Sequence, residues 1–367
     1  MKIPLIKPFI NDDIKRRVAE VLESGFLTEG SVTHALEKAF SDYTGASRAI
    51  AVTSCTTGLE IALRAAGIGK GDEVIVPDYT YPATAYAVAV TGAKCVIVDV
   101  RPSDMLIDYD AVEKAINRKT KAVIPVSLFG NPLDYDRIAE IKNKYGILII
   151  EDAACAIGAE YKGRKVGKFA DITVFSMHPR KFITTGEGGM IVTDNMKWAD
   201  WMDSYKHFGI EKGDGVREKI SFSMTGTNCK LSNIQAAIGL GQMEKIEILL
   251  NRRRELANTY FSLLEGTENL TFPETTKDGS HSFQSFCVFV KNRDRIMDEL
   301  RGNGIEVQIG TYSLHMHKAF KNSGSYRLSG SYPGSRYAFS HCLALPLYHD
   351  LSVNDQKQVV FALKALL

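Results

Sequence analysis

At 367 residues the chain is longer than one compact domain usually is, so two domains or one large α/β unit are the sizes to expect. Its 45% hydrophobic content suits a full core. Lysine plus arginine number 45 against 43 acidic residues, a net charge of +2, which excludes a field that would gather nucleic acid or an anionic membrane and leaves any anion to a local site.

The first residues, MKIPLIKPFINDDIKRR, contain no long apolar stretch and meet Pro and Asp early, so they do not read as a signal peptide. No apolar run reaches the roughly 18 residues of a membrane span. Six cysteines (Cys55, Cys95, Cys155, Cys229, Cys287 and Cys342) are widely spaced and include no Cys-x-x-Cys pair. That spacing argues against a disulfide framework or a zinc site, so no metal is expected and a reducing cytoplasm fits best.

From about Ala49 short β-branched runs alternate with helical patterns. AIAVTS, EVIVP, KCVIVDV, KAVIPVS and ILIIED read as buried strands; TTGLEIALRAAG, ATAYAVAVTG, DYDAVEKAINRK and DYDRIAEIKNKYG carry apolar residues at helical spacing between them. This alternation predicts an α/β fold with a mostly parallel sheet covered on both faces, where ligands gather at the carboxyl ends of the strands. After Asp152 the rhythm changes: DITVFSM and GGMIVTD are strands joined by a short segment instead of a helix. A helical stretch, a polar glycine-bearing segment (210–228) and one long helical pattern, LSNIQAAIGLGQMEKIEILLNRRRELANTYFSLLEG, follow. The pattern then resets, which predicts a large domain over 1–250 and a smaller α+β domain over 251–367.

Four places just after strands carry polar residues. In TSCTTGLEIAL, Ser54, Cys55, Thr56 and Thr57 stand at a helix N-terminus, where free N–H groups, the helix dipole and hydroxyls suit a phosphate, although plain capping uses the same residues. The segment is neither a Walker A loop nor a Gly-x-Gly-x-x-Gly turn, so no nucleotide is signalled there. Cys55, if exposed at that N-terminus, would have a lowered pKa. Tyr79 and Tyr81 follow EVIVP and fit packing or a stack on a flat ligand. Glu151 and Asp152 end ILIIED; Asp152 fits a cap as well as a carboxylate turned into the crevice. Lys181, in FSMHPRKFITTGEGG, reads on its own as a solvated loop charge, since lysine is almost never buried without a partner or a purpose. Taken together, a lysine between two strands, an acid after a third, a phosphate-type helix start and a strand-end aromatic match the needs of pyridoxal phosphate.

With those residues in view, the chain resembles the DegT/DnrJ/EryC1/StrS family of sugar aminotransferases, within the aspartate aminotransferase fold (fold type I). The resemblance runs over nearly the whole chain in six ordered blocks: SGFLTEG, SCTTGLEIAL, GDEVIVPDYTYPATA, EDAACAIGAEYKGRKVG, FSMHPRKFITTGEGG and GTNCKLSNIQAAIGLGQMEK. It implies a three-layer sandwich, a Schiff base of pyridoxal 5′-phosphate on Lys181, and Asp152 on the pyridine nitrogen. Thr56, Thr57 and Ser176 fall on phosphate-binding positions, Tyr81 on the ring-stacking position, and Cys155 near the cofactor's phenolic oxygen. Asn228 matches an asparagine that reaches the phosphate from the other subunit, which implies a homodimer with shared active sites. Phe26, Thr28 and Glu29 lie in a block that often lines the acceptor pocket, and Glu187, His315 and His317 are further substrate candidates; each also has a loop or capping explanation. Three departures stand out: Cys155 where Gln or His is usual, Phe182 where Asn often follows the lysine, and Lys230 where Arg is common. A dehydratase branch carries His in place of the lysine; here His178 stands three residues earlier, so the lysine position is kept.

The activity the resemblance implies is transfer of an amino group from L-glutamate, by way of pyridoxamine phosphate, to C4 or C3 of a nucleotide-linked keto deoxy sugar. Two alternatives stay beside it: transamination of a ketocyclitol of the scyllo-inosose type, and a cofactor-binding sensor or regulatory protein without turnover.

Overall fold

The computed structural model describes residues 2–211, 220–321 and 323–367. Positions 212–219 of the polar, glycine-bearing segment therefore lie outside the described residues.

An eight-stranded sheet forms the centre. Across it, in order, run Arg48–Val52, Gly189–Thr193, Ile172–Ser176, Leu148–Asp152, Thr120–Val123, Glu73–Pro77, Lys94–Val98 and Tyr326–Leu328. Gly189–Thr193 is antiparallel to both neighbours, and the other pairings are parallel. The antiparallel strand is the one reached by the short connection from Ile172–Ser176, since a tight return reverses direction whereas a parallel neighbour needs a long crossover.

The strands are buried on both faces, and their side chains divide with period two. Val74 and Val76 join one core while Ile75 joins the other; Cys95 and Ile97 divide from Val96 and Val98 in the same way. Helices Cys55–Ala65, Ala83–Val90 and Met196–Lys206 cover the first face, and Ser31–Thr44, Tyr109–Ala115 and Tyr135–Tyr145 cover the second. The result is the three-layer α/β sandwich. Gly58 shows why the helix after the first strand needs a glycine: a Cβ there would stand 2.7 Å from Val174 Cγ1, so only a bare Cα lets that helix settle on the sheet.

A second, antiparallel sheet joins Leu270–Thr271, Phe286–Val290, Cys342–Leu345 and Gln308–Ile309. Helices Ile246–Leu264, Arg293–Gly302 and Val353–Lys364 enclose a separate core with it, including Leu256, Tyr260, Val288, Leu300 and Val359. Two details depart from a clean division at residue 250. Ile3 packs in this smaller core, with the Lys2 and Ile3 amides donating to Gly304 O. Tyr326–Leu328, far into the last third of the chain, joins the large sheet beside Lys94–Val98.

The long helical pattern is two helices, Asn233–Met243 and Ile246–Leu264, with Lys245 between them at φ −114°, ψ 10°. The first packs on the helices Asp12–Ser24 and Ser31–Thr44 and on the lysine loop: a Cβ on Gly241 would meet Ile14 at 2.8 Å, and one on Gly239 would meet Thr185 at 2.8 Å and Leu36 at 3.2 Å. The second starts in the large core with Ile246, Leu249 and Leu250 and continues into the smaller one with Leu256, Tyr260 and Leu264, so it joins the two. Among the described residues no helix is long and apolar enough to cross a membrane, and all six cysteines are free of disulfides.

Candidate active site

Strands Arg48–Val52, Leu148–Asp152 and Ile172–Ser176 run in one direction, the first being related to the third through the antiparallel Gly189–Thr193. Their carboxyl ends therefore share one side of the sheet. The segments leaving them meet at a cavity of about 570 Å³ whose lining includes Ser54, Thr56, Asp152, Cys155, Ser176 and Lys181. Small-molecule sites span roughly 300–1,000 Å³, so this one is of ligand size.

Ser54 caps the helix Cys55–Ala65, its Oγ accepting the Thr57 N–H at 3.1 Å and lying 2.8 Å from the Thr57 hydroxyl. The N–H groups of Cys55 and Thr56, in the first turn, have no partner within the helix and are available to an anion. Gly189 sits directly against this turn: a Cβ there would come 2.5 Å from Ser54 C and 2.6 Å from Cys55 N. The Gly-Gly of the lysine loop thus lets the strand start where the helix starts, backbone on backbone.

Asp152 is 5% exposed. Thr84 Oγ1 donates to its Oδ2 at 2.8 Å and the Ala154 N–H donates to its Oδ1 at 3.1 Å. Burial holds its carboxyl above the usual carboxylate range, against those two hydrogen bonds and the Lys181 charge. A buried carboxylate at the cavity wall suits a cationic ligand group. Lys181 Nζ lies 3.1 Å from Cys155 Sγ. Burial works against its charge, yet Cys155, Asp152 and Cys55 together hold the amine above its usual range. Cys55 departs from the lowered thiol expected at an exposed helix start: burial, and then the Asp152 charge, push it well up, so its sulfur stays a thiol.

Glu151, one residue before Asp152, points to the opposite side of its strand. It accepts from Tyr135 OH at 2.6 Å, from Thr173 Oγ1 at 3.3 Å and from the Ser127 hydroxyl. Burial pushes its carboxyl from 4.5 up to about 7 despite these donors. In that window the folded state binds a proton that the unfolded state has released. Stability from this group therefore falls as pH rises from about 4.5 to about 7 and is level above. Glu151→Gln is expected to remove that slope, worth about 3 kcal/mol across the window. Melting temperatures of the two proteins against pH check this; parallel curves would place the slope elsewhere.

Of the residues singled out from the sequence, Thr56, Tyr81, Asp152, Cys155, Ser176, Lys181 and Glu187 line the cavity. Tyr81 is 65% exposed, its ring 6.2 Å from that of Tyr312. Tyr79, by contrast, is a packing residue, buried with its hydroxyl accepting the Thr311 N–H at 3.2 Å. Thr57 stands behind Thr56 in the Ser54 cap and does not line the cavity. Glu187 is at the mouth, 3.8 Å from His178, whose imidazole burial holds below its usual range.

Other candidates lie elsewhere. Phe26 and Thr28 line a separate groove of about 430 Å³. Asn233 holds that segment down: its side chain donates to Phe26 O at 2.9 Å and its N–H to Leu27 O at 3.1 Å. Glu29 turns inward to Lys206 Nζ at 3.0 Å, an ammonium that also meets Glu37 and Asp203. His315 is a buried structural group and not a lining residue. Its Nδ1 is 2.6 Å from Asp78 Oδ2, its Nε2 accepts from Arg336 at 3.2 Å, and its ring stacks on Tyr332. His317 is exposed, edge-on to Tyr312 at 5.8 Å, beyond the cavity lining. Asn228 accepts from Lys230 Nζ at 2.6 Å and likewise stays outside the cavity of its own chain. Phe182 turns away from the cavity lining, buried between the Arg253 guanidinium and the His349 ring.

Sequence reasoning missed Thr84, Arg180 and Gln284. Thr84 sits in an apolar helix 68 residues from Asp152, with nothing local to mark it. Arg180 lines the cavity beside Lys181, and its guanidinium meets the neutral Gln308 at 3.2 Å, no carboxylate among the described residues. Its adjacency to the lysine was the available signal.

A model of the DegT/DnrJ/EryC1/StrS aminotransferase family matches residues 8–364. The uncharacterized protein MJ1066 of Methanocaldococcus jannaschii is 34% identical over 376 residues, 99% of this chain and 97% of that protein. Among solved structures, Spr1654 of Streptococcus pneumoniae, assigned as a sugar aminotransferase, superposes with a TM-score of 0.94 at 30% identity, covering 99% of this chain and 98% of that one. It has been solved in apo, PLP and PMP forms. An aminotransferase of the family from Brucella abortus superposes with a TM-score of 0.89 at 31% identity, over 97% and 95% of the two chains.

Proposed function

From the premise that the chain belongs to the DegT/DnrJ/EryC1/StrS aminotransferase family, and so is an aminotransferase dependent on pyridoxal phosphate, we propose that it moves the amino group of L-glutamate to C3 or C4 of a nucleotide-linked keto deoxy sugar. Lys181 is the amine that bonds the cofactor. The observation that carries this reading is that Lys181, Asp152 and the helix start at Thr56 line one cavity though they leave three different strands.

The residues present fit the cofactor. A helix N-terminus with hydroxyls suits its phosphate, the buried Asp152 suits a protonated ring nitrogen, and a buried amine suits its aldehyde. When bound, pyridoxal phosphate supplies an aldehyde that condenses with amines and a ring that takes up electrons as a proton leaves the adjoining carbon. Thr56, the first-turn amides and Ser176 would hold the phosphate, and Tyr81 would meet the ring. Asp152 keeps the ring nitrogen protonated, and the bonds from Thr84 and Ala154 fix its direction. The Lys181 amine would take the proton from the donor's Cα. In the second half it delivers a proton to the sugar carbon that receives nitrogen.

Arg180 favours an acidic donor: its permanent charge borders the cavity and meets the neutral Gln308 amide, with no carboxylate partner among the described residues. In this reading the working unit is a homodimer with shared sites, in which a second copy of the chain brings Phe26, Thr28 and Asn228 to a cavity they lie away from in their own chain, and Tyr312, His317 and Glu187 border the acceptor's entrance.

The test has two stages. L-Glutamate is expected to discharge the absorbance band of the bound cofactor, and L-alanine to do so far more slowly. Nucleotide-linked 3- or 4-keto sugars carrying dTDP, UDP, GDP or CDP are then screened for return of the band. A band unmoved by glutamate removes the donor assignment; return with a free ketocyclitol and no nucleotide sugar removes the acceptor assignment.

A further inference from the structure

Residues 177–188 form neither helix nor strand; the Lys181 N–H donates to His178 O at 2.8 Å in a turn and Met177 and Gly188 close the base of the loop, but no strand ladder takes up Arg180 O and the Phe182 N–H on either side of the lysine. Two buried glutamines take its place. Gln284, just before the strand Phe286–Val290 of the smaller sheet, accepts the Phe182 N–H at 2.6 Å and donates to Arg180 O at 2.6 Å. One side-chain amide thus bonds the chain on either side of Lys181. Gln242, near the end of the helix Asn233–Met243, does the same at residue 184, accepting its N–H at 3.1 Å and donating to its carbonyl at 2.7 Å. Both are buried, Gln284 at 5% exposure and Gln242 at 0%. Gln284 is itself held: Arg253 donates to Phe283 O at 3.0 Å and Gln284 O at 3.1 Å, and its guanidinium lies 5.2 Å over the Phe182 ring.

We propose that Gln284 is a positioning residue for Lys181: its side-chain amide, carried on a backbone that Arg253 holds, sets where the lysine stands and ties it to the smaller domain. A neutral amide fits this role at every pH. A peptide N–H only donates and a peptide C=O only accepts, so a clamp on both needs an acceptor and a donor on one rigid plane. Glutamate offers two acceptors when ionised and sets one against Arg180 O. Protonated, it recovers a donor. Gln242 anchors the far end of the loop, three residues on, so the lysine lies between two fixed points.

The proposal rests on Lys181 being the cofactor-bonding amine, and the experiment separates the two. Gln284→Leu and Gln284→Glu are compared with the wild type. The readouts are the rate at which Lys181 takes up added pyridoxal phosphate in the cofactor-free protein (borohydride trapping and mass spectrometry), the pH midpoint of the bound cofactor's absorbance, and kcat and KM for glutamate. A displacement of about 1 Å costs up to about 100-fold, so Gln284→Leu is expected to slow uptake by about 10- to 100-fold and to lower kcat more than it raises KM. Gln284→Glu is expected to match that loss at alkaline pH and to return toward wild type as the pH falls and the carboxyl protonates. Should Gln284→Leu fail to fold, the pH-dependent recovery of Gln284→Glu decides alone. Wild-type uptake and midpoint in a folded variant, or a Gln284→Glu loss that pH does not relieve, overturns the clamp. Wild-type protein that takes up no cofactor at Lys181 overturns the lysine assignment instead.

Discussion

Lys181→Arg is expected to lower turnover by about 10⁴-fold or more while leaving the fold intact, because it removes both a covalent attachment and a proton carrier. Arginine keeps the charge but neither condenses with an aldehyde nor gives up its proton near neutral pH. The fold survives because the loop is held through its backbone, by Gln284 and Gln242, and because the lysine head lies at a cavity of about 570 Å³ with room for a longer side chain. Three measurements check this: turnover with glutamate and the acceptor, borohydride trapping of cofactor at position 181, and a circular-dichroism melt. Turnover near that of the wild type would remove Lys181 from the reaction.

Asp152→Asn is expected to lower turnover by about 10²–10³-fold, the scale of losing one preorganised electrostatic partner. The amide has the carboxylate's shape, so Thr84 and Ala154 keep a neighbour of the right size. What it lacks is the negative charge that keeps a ring nitrogen protonated. The same change has an opposite effect on stability. Burial already holds the Asp152 carboxyl above its usual range, so the charged form weakens the cofactor-free fold at neutral and alkaline pH. A neutral amide relieves this, and the cofactor-free variant should melt at the same temperature or higher at pH 8. A variant that folds and keeps wild-type turnover would sink the assigned role; one that melts much lower would point to a structural part for the charge.

Much of the site was legible because its residues stand at strand ends. Asp152, Lys181, Ser176 and the Ser54–Thr57 turn each follow a run whose period-two burial marks it as a central strand, and a parallel sheet brings such ends to one side. The substrate candidates were another matter. His315 is a substrate candidate by sequence, yet Asp78, 237 positions away, holds its ring in the interior. Phe26 and Thr28 belong to a block that Asn233, more than 200 residues on, pins to a different groove. No local pattern encodes either pairing. Cys55 shows the same limit in electrostatics: its place at a helix start suggests a lowered pKa, and burial beside Asp152 reverses the sign.

The sequence by itself determined the strand–helix alternation, the covered parallel sheet, the places of Asp152 at a strand end and Lys181 just beyond one, and the family. Those follow from hydrophobic period and from residue types at fixed offsets, both of which are local. The tertiary structure alone decided that Thr84 orients Asp152, that Cys155 touches Lys181 at 3.1 Å, and that Tyr326–Leu328 closes the large sheet. It alone showed two glutamine amides standing in for a missing ladder around the lysine. Each is a contact between residues distant in the chain, and a polar side chain's partner depends on which backbone groups folding leaves unpaired beside it.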